Sequence, residues 1–251
     1  MSLVDLQNKT ILVTGASNGI GRVTVELLAK LGARVVLVAR NQELLKDIVK
    51  SLPGAGHIVC PFDLSQVNEI GAFIAKISSE YGLLDGLVHA AGIHMAKPLR
   101  MLSAENLEDI FRVNVTAGIM LAKAFRQKTV SARPASIVFI SSVVALVGQP
   151  AVSAYAMSKG AICAATKSLA AELAPEQIRV NAVLPGVVMT SMTQNLFDKM
   201  GAEQIELIKK AHPLGLGQPL DVANMIAFLL SDAAKWITGT DMIVDGGYTA
   251  I

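Results

Sequence analysis

A chain of 251 residues, 52% of them hydrophobic, is long enough to bury a sizeable core in a single α/β domain spanning 1–251. Its formal charge of +2 is scattered without runs of like sign, which excludes a nucleic-acid or membrane-surface footprint and favours small or neutral partners. No stretch reaches about 18 uninterrupted apolar residues, the opening "MSLVDLQNKT" lacks the pattern of a secretory leader, and Cys60 and Cys163 show no metal-like or redox spacing, so a reduced, cytoplasmic protein without a metal is expected.

The first apolar run, "TILVTG" (10–15), leads into the glycine-rich turn "TGASNGIG" (14–21), after which apolar residues recur at three and four over Val23–Leu31. A turn between strand and helix aims N–H groups at an anion and lets the backbone approach it closely; a dinucleotide pyrophosphate is the natural ligand. A purely structural turn is one alternative. The same residues spell G-x-S-x-G, a hydrolase elbow at Ser17, yet no oxyanion loop accompanies it, and His57, His89, His94 and His212 show no placement that singles out a partner.

The second run, "ARVVLVAR" (33–40), ends on Ala39 and Arg40, where an NAD-binding protein carries an acid for the ribose. A guanidinium there grips a 2′-phosphate, which favours NADP(H) over NAD(H); the alternative is a solvated surface arginine. "HIVCPFDL" (57–64) and "DGLVHAAG" (85–92) follow, with the helical period of Ile70–Ile77 between them. "ASIVFISS" (135–142) sets Ser141 and Ser142 at a strand end, the edge where open α/β sheets bind ligands.

"SAYAMSKGA" (153–161) then puts Tyr155 and Lys159 four apart on one helix face. A positive charge at about 4 Å, in an effective dielectric of about 20, is worth roughly 4 kcal/mol, enough to draw a phenol toward working pH. A hydroxyl that polarises a carbonyl beside a phenol that protonates it reads as carbonyl reduction, although a tyrosine and a lysine four apart are, taken alone, more often an ordinary helix-face pair. "IRVNAVLPG" (178–186) and "DMIVDGG" (241–247) bracket a segment without strand character, of which 187–213 is expected to cover a site, ordinary packing helices being the alternative. Continuous Val/Ile/Leu strands alternating with helices predict a Rossmann-like, doubly wound parallel sheet of about seven strands.

Together these residues resemble the short-chain dehydrogenase/reductase family over essentially the whole length. "TGASNGIG" matches its TGxxxGxG motif, "YAMSK" its YxxxK motif and "PGVVMT" (185–190) its PG-x-x-x-T segment, while "HAAG" (89–92) stands where the family usually has NNAG. The resemblance implies Tyr155 as general acid/base, Lys159 lowering its pKa and holding the nicotinamide ribose, Ser142 rather than Ser141 polarising the carbonyl, and Asn114 supporting a proton relay. It further implies NADP(H) held by Gly15, Ser17, Asn18, Gly19, Ile20 and Gly21 at the phosphates and Arg40 at the 2′-phosphate. Asp63 and Leu64 would meet the adenine, Ala90, Ala91 and Gly92 the adenosine side, and Pro185, Gly186, Val188 and Thr190 the nicotinamide. Asp63 reads equally as a helix cap near Ser65.

His89 and Ala90 replace two asparagines whose amides usually tie neighbouring strands, and Leu216 stands where many relatives carry arginine. The nearest subfamily resemblance is to 3-oxoacyl-(acyl-carrier-protein) reductases, through "FISSVVALVGQPAVSAYAMSKGA" and "ITGTDMIVDGG". Those enzymes dock an acidic carrier with two basic residues; Arg133 matches one, but Glu176 stands at the other and would repel it. The implied substrate is a carrier-linked or small-molecule ketone, including sugar or secondary-metabolite ketones, and the implied assembly is a homo-oligomer, a tetramer or dimer. A non-catalytic dinucleotide-binding regulator is the reading from another class.

Overall fold

The strand-length runs become one parallel sheet in a computed structural model that describes residues 4–198 and 200–251. Its strands are β1 (Thr10–Thr14), β2 (Arg34–Ala39), β3 (Ile58–Pro61), β4 (Leu84–His89), β5 (Ser131–Ile140), β6 (Ile178–Pro185) and β7 (Asp241–Val244), in the order β3-β2-β1-β4-β5-β6-β7. The helices are α1 (Gly19–Lys30), α2 (Gln42–Ser51), α3 (Ile70–Tyr81), α4 (Ala104–Phe111), α5 (Ala117–Phe125), α6 (Ser153–Leu173), α7 (Ser191–Phe197), α8 (Ala202–Lys210) and α9 (Pro219–Leu230).

Successive strand residues point to opposite faces, and both faces are apolar. Ile11, Val13, Val35 and Leu37 pack with Val25 and Leu28 of α1, Leu45 of α2 and Ile226 of α9. Leu12, Val36 and Ile137 pack with Ile74 of α3, Leu121 and Phe125 of α5 and Ile162 of α6. This is the doubly wound α/β fold that the Val/Ile/Leu runs predict. The chain winds outward from β1 to β3, then returns to β4 on the other side of β1. The carboxyl ends of β1 and β4 therefore diverge into a crevice, the place where such sheets take ligands.

Several boundaries differ from the sequence pattern. Helix α1 starts at Gly19, ahead of its periodic run, because the Asn18 side chain accepts from the Gly19 N–H and caps it. Strand β5 stops at Ile140, so both serines lie beyond it, and β7 stops at Val244 ahead of Gly246 and Gly247, whose φ angles of +62° and +89° turn the chain. Between α4 and α5 the helix carries a π turn, Arg112–Thr116, which no local propensity marked. The 187–213 segment contains α7 and α8, and among its described residues α7 buries only Phe197 and α8 none. Among the described residues no helix is long and apolar enough to cross a membrane, and no group of side chains is arranged to hold a metal.

Candidate active site

A cleft of about 620 Å³ opens at the carboxyl edge of β1, β4, β5 and β6. Its first wall is the glycine-rich turn after β1. Gly15 has φ +67°, and a Cβ there would lie 2.8 Å from the Ala91 nitrogen; one on Gly21 would lie 2.3 Å from the Gly15 oxygen. Only hydrogen fits at either position, so the turn presses against the segment after β4 and brings the backbone at the N-terminus of α1 to the cleft wall, where an anion can approach it closely. Such a cradle fits the pyrophosphate of a dinucleotide.

Ser17, Gly19 and Ile20 line the same wall. Asn18 lines it too, but its side chain is already engaged: Oδ1 accepts from Gly19 N at 2.7 Å, and Nδ2 donates to Ser191 Oγ at 2.7 Å, tying the turn to α7. None of the four histidines hydrogen-bonds Ser17, which removes the geometry a hydrolase elbow needs. Arg40 stands exposed at the rim with no ion pair among the described residues. Asp63 lines the cleft beside Leu64 and closes a turn, accepting from Ser65 N at 2.9 Å; that hydrogen bond above all, with a lesser contribution from Arg40, holds its carboxyl below the usual range.

The opposite walls come from β4 and β6. Ala90, Ala91 and Gly92 follow β4, and Pro185, Gly186, Val188 and Thr190 lie at and beyond the end of β6. A Cβ on Gly186 would meet Asp245 Cα at 2.9 Å, and Thr190 caps α7 by accepting from Thr193 N. His89 stands in for the missing amide. Losing the family's asparagine does not lose the tie between strands, because His89 Nδ1 hydrogen-bonds Thr14 Oγ1 at 3.0 Å and the same oxygen accepts from Ala91 N. Burial pushes the imidazole down to about 4, so it is neutral at pH 7.

Helix α6 carries Tyr155 and Lys159 into the cleft one turn apart, small residues around them allowing close approach to the sheet. The two serines before it part company. Ser141 turns inward, donating to Lys159 O at 2.8 Å and touching Cys163 Sγ, whereas Ser142 faces the phenol. Burial pushes Tyr155 up to about 12 against the opposing pull of Ser142, and pushes Lys159 down to about 8. This differs from the expectation that Lys159 draws the phenol toward working pH. Its Nζ stands 5.5 Å from the ring centre and donates to Ile140 O at 2.8 Å, so desolvation of the phenolate outweighs the ammonium.

Asn114 sits in the π turn and is buried. Its Oδ1 accepts from Ile93 N at 2.8 Å, and its Nδ2 donates to Ile93 O and Ser158 Oγ, each at 3.0 Å. The amide clamps three segments rather than pointing freely into the cleft. Gln149 and Tyr248, which sequence reasoning passed over, also line it, as does His94, which was weighed only as a hydrolase partner. His94 packs edge-on against Tyr155, and Gln149 donates to the Tyr248 hydroxyl at 3.0 Å. No spacing signals these, since they come from three separate segments.

A glycine cradle at the switch point, with a serine, a phenol and an ammonium at the neighbouring strand end, defines an NAD(P)(H)-binding oxidoreductase. Residues 15–249 match the family model described as Enoyl-(Acyl carrier protein) reductase. The chain is 38% identical to the cyclopentanol dehydrogenase of Comamonas testosteroni, with 98% of each chain covered. It is 37% identical to a 3-oxoacyl-(acyl-carrier-protein) reductase of Rickettsia prowazekii, again over 98% of each. A putative short-chain alcohol dehydrogenase from Sinorhizobium meliloti superposes with a TM-score of 0.92 at 31% identity, covering 99% of both chains. The chain belongs to the short-chain dehydrogenase/reductase family.

Proposed function

We propose that the protein interconverts a free, small ketone and its secondary alcohol using NADP(H), with Tyr155 carrying the proton. The observation that carries this reading is the convergence of Ser142 and Lys159 on the Tyr155 ring in a cleft whose other half is the glycine cradle. The glycine cradle would hold the pyrophosphate of the dinucleotide and Pro185, Gly186, Val188 and Thr190 its nicotinamide, which when reduced would supply a hydride to the carbonyl carbon. Tyr155, protonated at neutral pH, gives its proton to the carbonyl oxygen while Ser142 donates a hydrogen bond to the same atom, and solvent restores the proton. Lys159 keeps a positive charge beside the phenolate as it forms. Asn114 positions the surrounding segments. Arg40, exposed and without an ion pair among the described residues, supports NADP(H) over NAD(H).

The bond from Asn18 to Ser191 supports 187–213 as the cover of this site. Exposed Trp236, and Ile243 on the edge strand β7, support an assembly of two or four copies; a sedimentation mass of one chain would remove the assembly.

A free substrate is favoured over a carrier-linked one by Glu176. Its carboxylate pairs with Arg126 at 2.5 Å and lies 3.6 Å from Arg133, whose guanidinium donates to the Arg126 and Ala132 carbonyls. Arg133 also sits at the start of β5, about 20 Å of strand away from the cleft edge. The carrier-linked reading stands second, on the likeness to 3-oxoacyl reductases. The test is NADPH oxidation with acetoacetyl-CoA, a carrier-linked 3-oxoacyl substrate and a panel of cyclic and sugar ketones, each repeated with NADH. Turnover of free ketones with NADPH is expected. Turnover of the carrier-linked substrate alone reverses the substrate assignment, and NADPH binding without turnover of any ketone leaves the regulator reading.

A further inference from the structure

We infer that His94 selects the substrate by hydrogen-bonding a second oxygen on it, so that the preferred ketone bears a hydroxyl or carbonyl within two carbons of the reacting one. The inference deepens the ketone reading above and rests on it. His94 enters the cleft from the segment after β4, its ring centre 4.8 Å from that of Tyr155 and tilted by 61°. It therefore borders the space in which a carbonyl meets the phenol.

Among the described residues His94 makes no hydrogen bond within the chain, and the other three histidines all do: His57 with Pro53 O, His89 with Thr14 Oγ1, His212 with Ile208 O. The neighbouring polar groups are already committed. Gln149 is bonded to Tyr248, the Asn114 amide to Ile93 and Ser158, and Ser142 faces the phenol. A polar ring partly withdrawn from water with no partner carries a cost that a substrate oxygen removes. That partner is a neutral oxygen. Burial, reinforced by Lys159, holds the imidazole below the ordinary histidine range, so at pH 7 one ring nitrogen donates and the other accepts. A hydroxyl or carbonyl satisfies such a group; a carboxylate or phosphate calls for a cation.

The competing account makes His94 only a packing partner for Tyr155, in which case phenylalanine replaces it without consequence for selectivity. The experiment compares cyclohexanone with 2-hydroxycyclohexanone as substrates of the wild type, His94→Phe and His94→Asn. His94→Phe is expected to lower kcat/KM for the hydroxyketone roughly tenfold while leaving cyclohexanone within about twofold, and His94→Asn to restore part of the loss. Equal loss on both ketones, or none on either, overturns the inference. Where neither ketone turns over, calorimetric titration of 2-hydroxycyclohexanone into the protein with NADP⁺ decides. Affinity lost in His94→Phe supports the inference and unchanged affinity overturns it, whereas absent turnover with intact NADPH binding counts against the ketone reading.

Discussion

The ammonium of Lys159 donates to the Ile140 carbonyl at 2.8 Å, fastening α6 to the last residue of β5 just ahead of Ser142. Its charge is thus fixed in place but partly stripped of water, and burial lowers its pKa to about 8. The group is protonated below that value and loses its charge as pH rises through it. Ketone reduction is therefore expected to hold up to about pH 8 and to fall above it, as a profile of kcat/KM against pH shows. Lys159→Arg, which cannot lose its proton, removes that alkaline limb; a limb that persists at the same pH assigns it to another group.

Tyr155→Phe keeps the ring and removes the proton. Its kcat is expected to fall by about 10²–10⁴, the usual share of general acid catalysis. NADPH affinity, measured by calorimetry, stays within about twofold, because the phosphates are met by backbone at the glycine turn. Full activity in this variant ends the assigned role.

Arg40→Asp places a carboxylate where the guanidinium now stands exposed at the cleft rim. The NADPH/NADH ratio of kcat/KM is expected to drop by about tenfold or more, since one charge-assisted pair is lost and a like charge faces the 2′-phosphate. An unmoved ratio makes Arg40 a solvated surface residue.

His89 binds no proton in the fold until about pH 4, whereas its ordinary value is 6.5. The unfolded chain therefore takes up a proton first as pH falls, and stability is lost between those two values, by at most about 1.4 kcal/mol per pH unit. Urea unfolding at pH 7 and pH 5 measures the loss. His89→Asn, which does not titrate, is expected to narrow the difference.

The sequence made some of this legible because the causes are local. Val35–Val38 reads as a strand buried on both faces, which is what it is, and Tyr155 with Lys159 needs only a helix to share a face. The tie between His89 and Thr14 joins two strands 75 residues apart, so no window of sequence contains it. The π turn at Asn114 carries no local sequence signature. The spacing of Lys159 and Tyr155 was visible, but not the burial that raises the phenol. Spacing supplies neighbours along a helix; it does not supply the dielectric around them.

The Asn114 clamp has a mechanical corollary. One amide holds the segment bearing His94, the bulged helix and α6 as a single block, through Ile93 on one side and Ser158 on the other. The cleft then behaves as a vise with one fixed jaw. Travel belongs to the other jaw, the proposed cover, where α8 buries no described residue and Ser191 meets Asn18 across the gap. An engineer who wants faster product release should loosen that hinge side, because softening the fixed jaw would blunt the chemistry along with it.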